Sequence, residues 1–371
     1  MRNEQISAML TERIAAGDFP SAVYVVAERG QLKLADALGD AVKGEKRYAA
    51  TLDTIYDLAS LTKPLITSLL CARRVERGEI NLDDSISGFF PEFNLDDKRE
   101  ISLRQLLTHT SGLPAWRPLY LMASGKEEVL QAIAAENLEF EPGAHVRYSD
   151  LGFITLGFLL EKLARSPLAE IAHNEIFNQL KLTRTFFNPD KTLVTEMAAC
   201  ELGNAYERGM CDVEKARKYL WRDNLIWGEV HDGNAFFLGG AAGHAGLFST
   251  ALEALRIASQ FHAGTTELLQ PETCALFQTN MTNGMEEARS FGWQLAETKD
   301  STASASLPPN SFGHLGFTGT SCWNDPERGR TFILLTNRTH ARKLPFANIN
   351  SVRRQFHTLA VAALEELGAN G

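Results

Sequence analysis

The stretch Tyr56-Asp57-Leu58-Ala59-Ser60-Leu61-Thr62-Lys63 places a serine three residues before a lysine, in a run that continues apolar through Leu65, Ile66, Leu69 and Leu70. Residues three apart share a helix face, so Ser60 and Lys63 point the same way from a segment greasy enough to be buried. A hydroxyl where a helix begins meets free backbone N–H groups and the positive dipole end, both of which favour an anionic tetrahedral intermediate. An amine beside it, held out of water, can have its pKa lowered and take the hydroxyl proton. The chemistry offered is acyl transfer through a serine. The pair also has a plainer reading, because serine caps helices and lysine lays its methylenes along apolar surface while its head reaches water.

Two other stretches bear on the choice. "EPGAHVRYSDLGF" sets Tyr148 and Asp150 just ahead of an apolar helix, and "FGHLGFTGTS" sets His314 in a glycine-rich run that leads into a strand. No G-x-S-x-G, H-E-x-x-H, Walker A or G-x-G-x-x-G pattern is present, which removes several large enzyme groups. His109 in "LLTHTSGL" reads as a loop-holding residue. His231, Asp232 and His244 in "GEVHDGNAFFLGGAAGHAGLFSTA" fit no ligand spacing with mechanical support, so no metal is expected. Arg338 and His340, at the end of a strand, read as structural.

The elements that must position these residues follow from periodicity. The start, "MRNEQISAMLTERIAAGDFP", reads as an amphipathic helix with Met9, Leu10, Ile14 and Ala15 on one face, followed by two strands around Arg29-Gly30. From Ser60 to about 260 the pattern is mainly helical, with segments at 60–78, 102–108, 126–136, 150–166 and 249–264. The chain then returns to strands, with a hairpin at 320–339 turned at Pro326 to Gly329, and closes on a helix at 346–367. The low-complexity run at 298–311 reads as a solvated loop. Strands at both ends with helices between predict an α+β chain. An antiparallel sheet flanked by helices is made by residues 1–59 and 265–371, a mainly helical lobe of 60–264 is inserted, and the site lies between.

The bulk numbers agree with a globular enzyme rather than a nucleic-acid binder. Of 371 residues 44% are hydrophobic, and 37 basic against 46 acidic residues leave a net charge of -9 with no dense Lys/Arg block. Five scattered cysteines never form C-x-x-C, which argues against a disulfide framework and a zinc ribbon. No apolar run reaches the length of a membrane span and the start shows no signal-peptide pattern, so a cytoplasmic location is expected, or a periplasmic one if a leader has been trimmed.

Taken in order, Ser60-Leu61-Thr62-Lys63, Tyr148-Ser149-Asp150 and His314-Leu315-Gly316 resemble the S-x-x-K, Y-x-N and K-T-G motifs of the serine β-lactamase and penicillin-binding-protein superfamily. "ISLRQLLTHTSGLP" and "FEPGAHVRYSDLGFITLGFLLE" are similar to signatures of its AmpC-like branch, which includes D-aminopeptidases and esterases. The resemblance runs from about residue 17 to 340. It implies a β-lactamase/transpeptidase-like fold and a serine hydrolase with no cofactor. Ser60 would be the nucleophile, Lys63 the base or a proton partner of Tyr148, and Tyr148 the donor to the leaving group, with the N–H groups of Ser60 and Phe317 as oxyanion hole. The "GHAGLFST" stretch resembles the site wall of that branch, so His244 and Ala245 would face the ligand, and it is also similar to muropeptide amidases.

Two departures alter the expected substrate. Asp150 stands where the family has asparagine, so an amide donor becomes, when ionised, a carboxylate that only accepts. His314 stands where the family has a permanent cation, so that charge titrates near neutrality. The leading expectation is hydrolysis of an amide or ester of a small molecule or short peptide, plausibly derived from peptidoglycan. The alternatives are a carboxylesterase with little peptidase activity, favoured by His314, and a non-catalytic binding member of the fold. An intact Ser60, Lys63 and Tyr148 argues against the last.

Overall fold

Both ends of the chain contribute strands to one sheet. The computed structural model describes residues 1–369. β1 (Ser21–Glu28), β2 (Gln31–Lys43) and β3 (Arg47–Ala49) come first; the short β4 (Tyr56–Asp57) pairs with β5 (Phe248–Ser249) as a separate ribbon. β6 (Gln294–Leu295), β7 (Phe312–Leu315), β8 (Ser321–Asp325) and β9 (Arg330–Thr336) complete an antiparallel sheet in the order β3-β2-β1-β9-β8-β7-β6. β1 thus lies against β9, with Val23 opposite Leu335 and Val25 opposite Ile333. The β1–β2 turn places Arg29 at φ 51° and Gly30 at φ 74°, the left-handed pair that a two-residue hairpin needs to match strand twist.

Strand side chains alternate between two apolar layers. Val23, Val25, Cys322, Ile333 and Leu335 face the core shared with the helical lobe. Tyr24, Val26, Trp323, Phe332 and Leu334 face the first helix (Glu4–Ala16) and the closing helix (Asn350–Ala369). Because both faces are covered, β9 is buried along its whole length rather than on alternate residues.

The inserted segment is helical for the expected reasons, with local departures. Instead of one regular helix over 60–78, a 3₁₀ turn at Ala59–Leu61 leads into π winding over Lys63–Ser68 and then an α-helix at Leu69–Glu76. Such underwound turns recur at functional sites. The helix Asp150–Ala164 is apolar on most of its surface and so is buried in the core of the lobe; Ser149 Oγ accepts from Gly152 N as its cap. It lies so close to the Gly243 turn that a Cβ on Gly243 would stand 2.0 Å from the Phe153 carbonyl oxygen. Thr67 Oγ1 donates to Gly243 O at 2.6 Å from the other side, which fixes the turn between two helices.

The run 298–311 is not a solvated loop. Thr302, Ala303 and Leu307 are buried beneath the closing helix, where Thr302 Oγ1 accepts from Trp323 Nε1 and Thr302 O meets His357 Nδ1. Its small residues read as low complexity because they fit a narrow space between helix and sheet. Among the described residues no helix is long and apolar enough to cross a membrane.

Leu335 is fully buried at the centre of the sheet. Leu335→Ala is expected to lower the unfolding free energy by about 2–5 kcal/mol in a urea titration, with the m-value unchanged; a loss under about 1 kcal/mol would contradict this packing.

Candidate active site

Ser60 opens onto a cavity of about 470 Å³, between the β7 edge of the sheet and the helical lobe. The residue before it, Ala59, is held at φ 48°, a conformation that costs a non-glycine residue free energy and must be imposed by its surroundings. Asp57 Oδ1 imposes it by accepting from Ala59 N at 2.8 Å, while Oδ2 accepts from His231 N at 2.8 Å. Burial raises the Asp57 pKa, against the pull of those two N–H groups. The turn after β7 is tied to the same strand: Thr318 Oγ1 donates to Asp57 O at 2.8 Å and Thr320 Oγ1 to Leu58 O at 2.9 Å. Gly316 makes the approach possible, since a Cβ there would stand 2.5 Å from Leu58 O. The backbone of Phe317 is thereby brought to the Ser60 turn, the arrangement an oxyanion hole requires.

Lys63 is fully buried, and its ammonium is ringed by acceptors that replace water. Nζ lies 3.0 Å from Ser60 Oγ, 3.1 Å from His244 O and 2.6 Å from Asp150 Oδ1, and 4.8 Å from the centre of the Tyr148 ring. The expectation of a lowered lysine pKa is overturned. Burial alone would lower it, but the Asp150 carboxylate and Tyr148 outweigh burial and hold the Lys63 pKa above its ordinary value. Tyr148 keeps its proton as well, because burial and the nearby Asp150 raise it more than Lys63 lowers it.

Two imidazoles flank the phenol. His109 lies 4.6 Å from the Tyr148 ring and accepts from Ser149 N at 3.0 Å through Nδ1; it sits at φ 60°, so it holds the backbone that carries Tyr148 and Asp150. His314 lies 5.8 Å from Tyr148, and its Nδ1 is 2.9 Å from Leu315 O. A carbonyl only accepts, so Nδ1 carries the proton and Nε2 presents a lone pair. Burial first, then the charges of Lys63 and Arg289, push His314 well below its ordinary pKa. Burial and the same two charges do this to His109.

Ser60, Tyr148, Asp150, His314 and Phe317 all line the cavity, as does Ala245. His244 does not. It was expected to face the ligand, but its ring is buried and meets Asp232 Oδ1 at 2.8 Å, leaving its carbonyl to serve Lys63. His231 does line the cavity, paired with Glu201 at 2.9 Å and stacked 5.5 Å from Phe317. Among the described residues no cluster of His, Cys, Asp and Glu is arranged to hold a metal ion.

Several wall residues carried no signal in the sequence. Tyr206, Glu207 and Met210 come from the segment around the short helix Ala205–Met210, and Arg289 from the approach to β6. Glu207 is pushed up to about 7 by burial and by Asp232. Arg338 Nε donates to Phe317 O at 2.7 Å, and Arg353 Nη2 donates to Gly316 O and Thr320 O at 3.1 and 2.9 Å, so both brace the turn after β7. Neither guanidinium meets a carboxylate among the described residues, and burial with the neighbouring Arg338 brings Arg353 down to about 9.

Comparisons with known proteins identify the family and the fold. The Beta-lactamase family model matches residues 6–353. The chain is 30% identical over 370 residues to a "Putative D-alanyl-D-alanine carboxypeptidase" of Escherichia coli (strain K12), covering 92% of this chain and 83% of that one. Among solved structures it superposes on "EstCE1, a hydrolase with promiscuous acyltransferase activity" with a TM-score of 0.74 at 23% identity, covering 95% and 97% of the two chains. A "Beta-Lactamase/D-Alanine Carboxypeptidase from Pseudomonas syringae" gives 0.74 at 17% identity, with the same coverage of 95% and 97%. At those identities the superpositions speak for the fold.

His109 and His314 are neutral when folded and take up protons more readily when unfolded. Their contribution is therefore present above the ordinary histidine pKa, 6.5, and is lost as pH falls below it. Unfolding free energy is expected to decline below pH 6.5 by up to about 1.4 kcal/mol per pH unit for each imidazole. In denaturant titrations His109→Asn should flatten that slope by about one proton; an unchanged slope would show that His109 is charged in the folded protein.

Proposed function

The chain belongs to the beta-lactamase family, in the AmpC-like branch with carboxypeptidase and esterase relatives, and on that premise we propose that this serine hydrolase cleaves carboxylic esters through an acyl-enzyme on Ser60. Ser60 Oγ attacks the ester carbonyl, the N–H groups of Ser60 and Phe317 receive the oxyanion, and Tyr148 gives its proton to the departing alkoxide. Water then resolves the acyl-enzyme. Deprotonation of Ser60 runs through Lys63, 3.0 Å away.

The observation that carries the ester reading is His314. It is a neutral acceptor where a fixed cation would hold a substrate carboxylate. An ester needs no anchoring carboxylate. The wall formed by Trp116, Tyr206, Met210, Leu315 and Phe317 is apolar and aromatic, suited to the hydrocarbon part of an acyl or alcohol group. EstCE1, a hydrolase with promiscuous acyltransferase activity, shares the fold and supports the same reading at that level.

A second reading rests on Arg338 and Arg353. Arg353 is buried and Arg338 half-buried, neither beside an acid among the described residues, which is costly unless a ligand supplies the negative charge, and both line this cavity. A peptide ending in a carboxylate, such as a D-alanyl terminus from peptidoglycan, would satisfy them, and the name of the Escherichia coli relative points the same way.

The readings separate on rates. For p-nitrophenyl butyrate, kcat/KM is expected to exceed that for D-alanyl-D-alanine peptides by about 10²-fold or more, and Ser60→Ala should remove about 10³-fold or more of the esterase activity. A preference for the peptides would transfer the assignment to the carboxypeptidase reading. Ester hydrolysis unchanged in Ser60→Ala would remove Ser60 as nucleophile.

A further inference from the structure

Asp150 is the first residue of the helix Asp150–Ala164, and its Oδ1 stands 2.6 Å from the Lys63 ammonium. We propose that Asp150 is the proton-accepting partner in a Ser60–Lys63–Asp150 relay, so that the base of this enzyme is the buried ion pair and not the lone amine. The inference rests on the serine-acylation reading above.

A protonated Lys63, hydrogen-bonded to Ser60 Oγ and His244 O and ion-paired with Asp150 Oδ1 at 2.6 Å, has no lone pair with which to take a fourth proton. A proton can leave Ser60 for Lys63 only if Lys63 gives one away. Of its polar neighbours, the backbone carbonyl is a very weak base, the serine is the donor and the Tyr148 phenol already holds its proton, which leaves the carboxylate. An amide at this position could not take that proton. Lys63 is held above its ordinary pKa, so the proton stays on the amine until the hydroxyl begins its attack. The other titratable or charged groups around Lys63 do not compete. Tyr148 is protonated, His109 and His314 are neutral, Arg289 is a cation, and Asp232 acts on Lys63 across His244, with which it is already paired.

The step balances. The Ser60 O–H bond breaks as Oγ bonds to the ester carbon; its proton goes to Lys63 Nζ, and a different Lys63 proton goes to Asp150 Oδ1. The carbonyl electron pair moves to oxygen in the oxyanion hole. On collapse the alkoxide leaves with the Tyr148 proton, Lys63 reprotonates Tyr148, and Asp150 returns its proton to Lys63. The resting ion pair is restored beside an acyl-serine.

Asp150→Asn keeps the size and the contact to Lys63 but cannot accept a proton. With p-nitrophenyl acetate at pH 7, kcat should fall about 10²-fold or more with KM little changed. The deficit should shrink about tenfold per pH unit as Lys63 loses its proton to alkaline solvent, and Asp150→Glu should recover part of the rate. A variant within threefold of wild type from pH 6 to 10, or one with the same deficit at every pH, overturns the relay. Should the variants fail to fold, the wild type still decides: its acylation rate in mixed H₂O and D₂O should curve with deuterium fraction because two protons move together, and a linear dependence overturns the relay. Fluorophosphonate labelling of wild type separates the two ideas. Labelling at Ser60 with an unaffected Asp150→Asn refutes the relay alone, whereas wild type without a Ser60 adduct refutes the acylation reading and the relay with it.

Discussion

An ammonium buried without water must be surrounded by acceptors, and the active-site side of this molecule is arranged around that requirement for Lys63. The acceptors come from three places in the chain. Ser60 arrives on the strained turn that Asp57 holds, Asp150 on the first turn of a core helix, and the His244 carbonyl on a loop pressed between two helices. Each requires a feature that would otherwise be unfavourable: Ala59 at positive φ, a carboxylate facing the interior, and a glycine at residue 243 whose absent side chain lets backbone touch backbone. The attraction between Lys63 and Asp150 in a poorly solvated site is what makes these features mutually supporting rather than separate liabilities.

The opposite wall is governed by the sheet. β7 and the turn after it approach the Ser60 strand closely because residue 316 has no side chain, and Thr318 and Thr320 fasten the two together. Arg338 and Arg353 then hold the turn from behind by donating to its carbonyls. Phe317 is packed between His231, Tyr206 and the Arg338 guanidinium, which fixes the plane of its peptide group as well as its ring. An oxyanion hole depends on donors that need not reorganise when charge develops, and this packing removes that freedom.

How much of this was legible in the sequence varies with the physics that each part uses. The helix pattern around Leu69–Glu76 and Asp150–Ala164 and the β8–β9 hairpin rest on local periodicity and turn chemistry, which a sequence displays. The β1–β9 pairing that joins the chain ends is instead a long-range contact that no local pattern carries. Ser60, Lys63, Tyr148, Asp150 and His314 were legible because short motifs carry them; four of them line one cavity and Lys63 is buried behind Ser60. The direction of the Lys63 pKa was not legible. It depends on Asp150 lying 2.6 Å away, a distance set by tertiary packing between segments nearly ninety residues apart in the chain. His244 failed for a related reason: its motif is in place, but the loop uses the carbonyl and turns the ring inward to Asp232. Tyr206, Glu207, Met210 and Arg353 had no local pattern to announce them, since only the fold brings their segments to the site.

The two departures from the family motifs are better understood together than one at a time. A cation at residue 314 and an amide at residue 150 would both be aimed at substrate, one at a carboxylate and the other at a carbonyl. Here the imidazole is neutral and bonded to its own strand, and the carboxylate is spent on Lys63. The imidazole offers no fixed charge to substrate, and the carboxylate, although it lines the cavity, is paired with the proton-handling amine. A site so arranged gives up polar binding energy in the ground state, where it would only hold substrate more tightly, while keeping the groups that act as the serine proton moves. The remaining uncompensated positive charge, on Arg338 and Arg353, lies behind the oxyanion turn, where it adds to the potential felt by a negative oxygen whatever the substrate carries elsewhere. Those guanidiniums hold the turn by its carbonyls whatever the substrate carries, so a substrate carboxylate is one way to use their charge rather than the only reason for them.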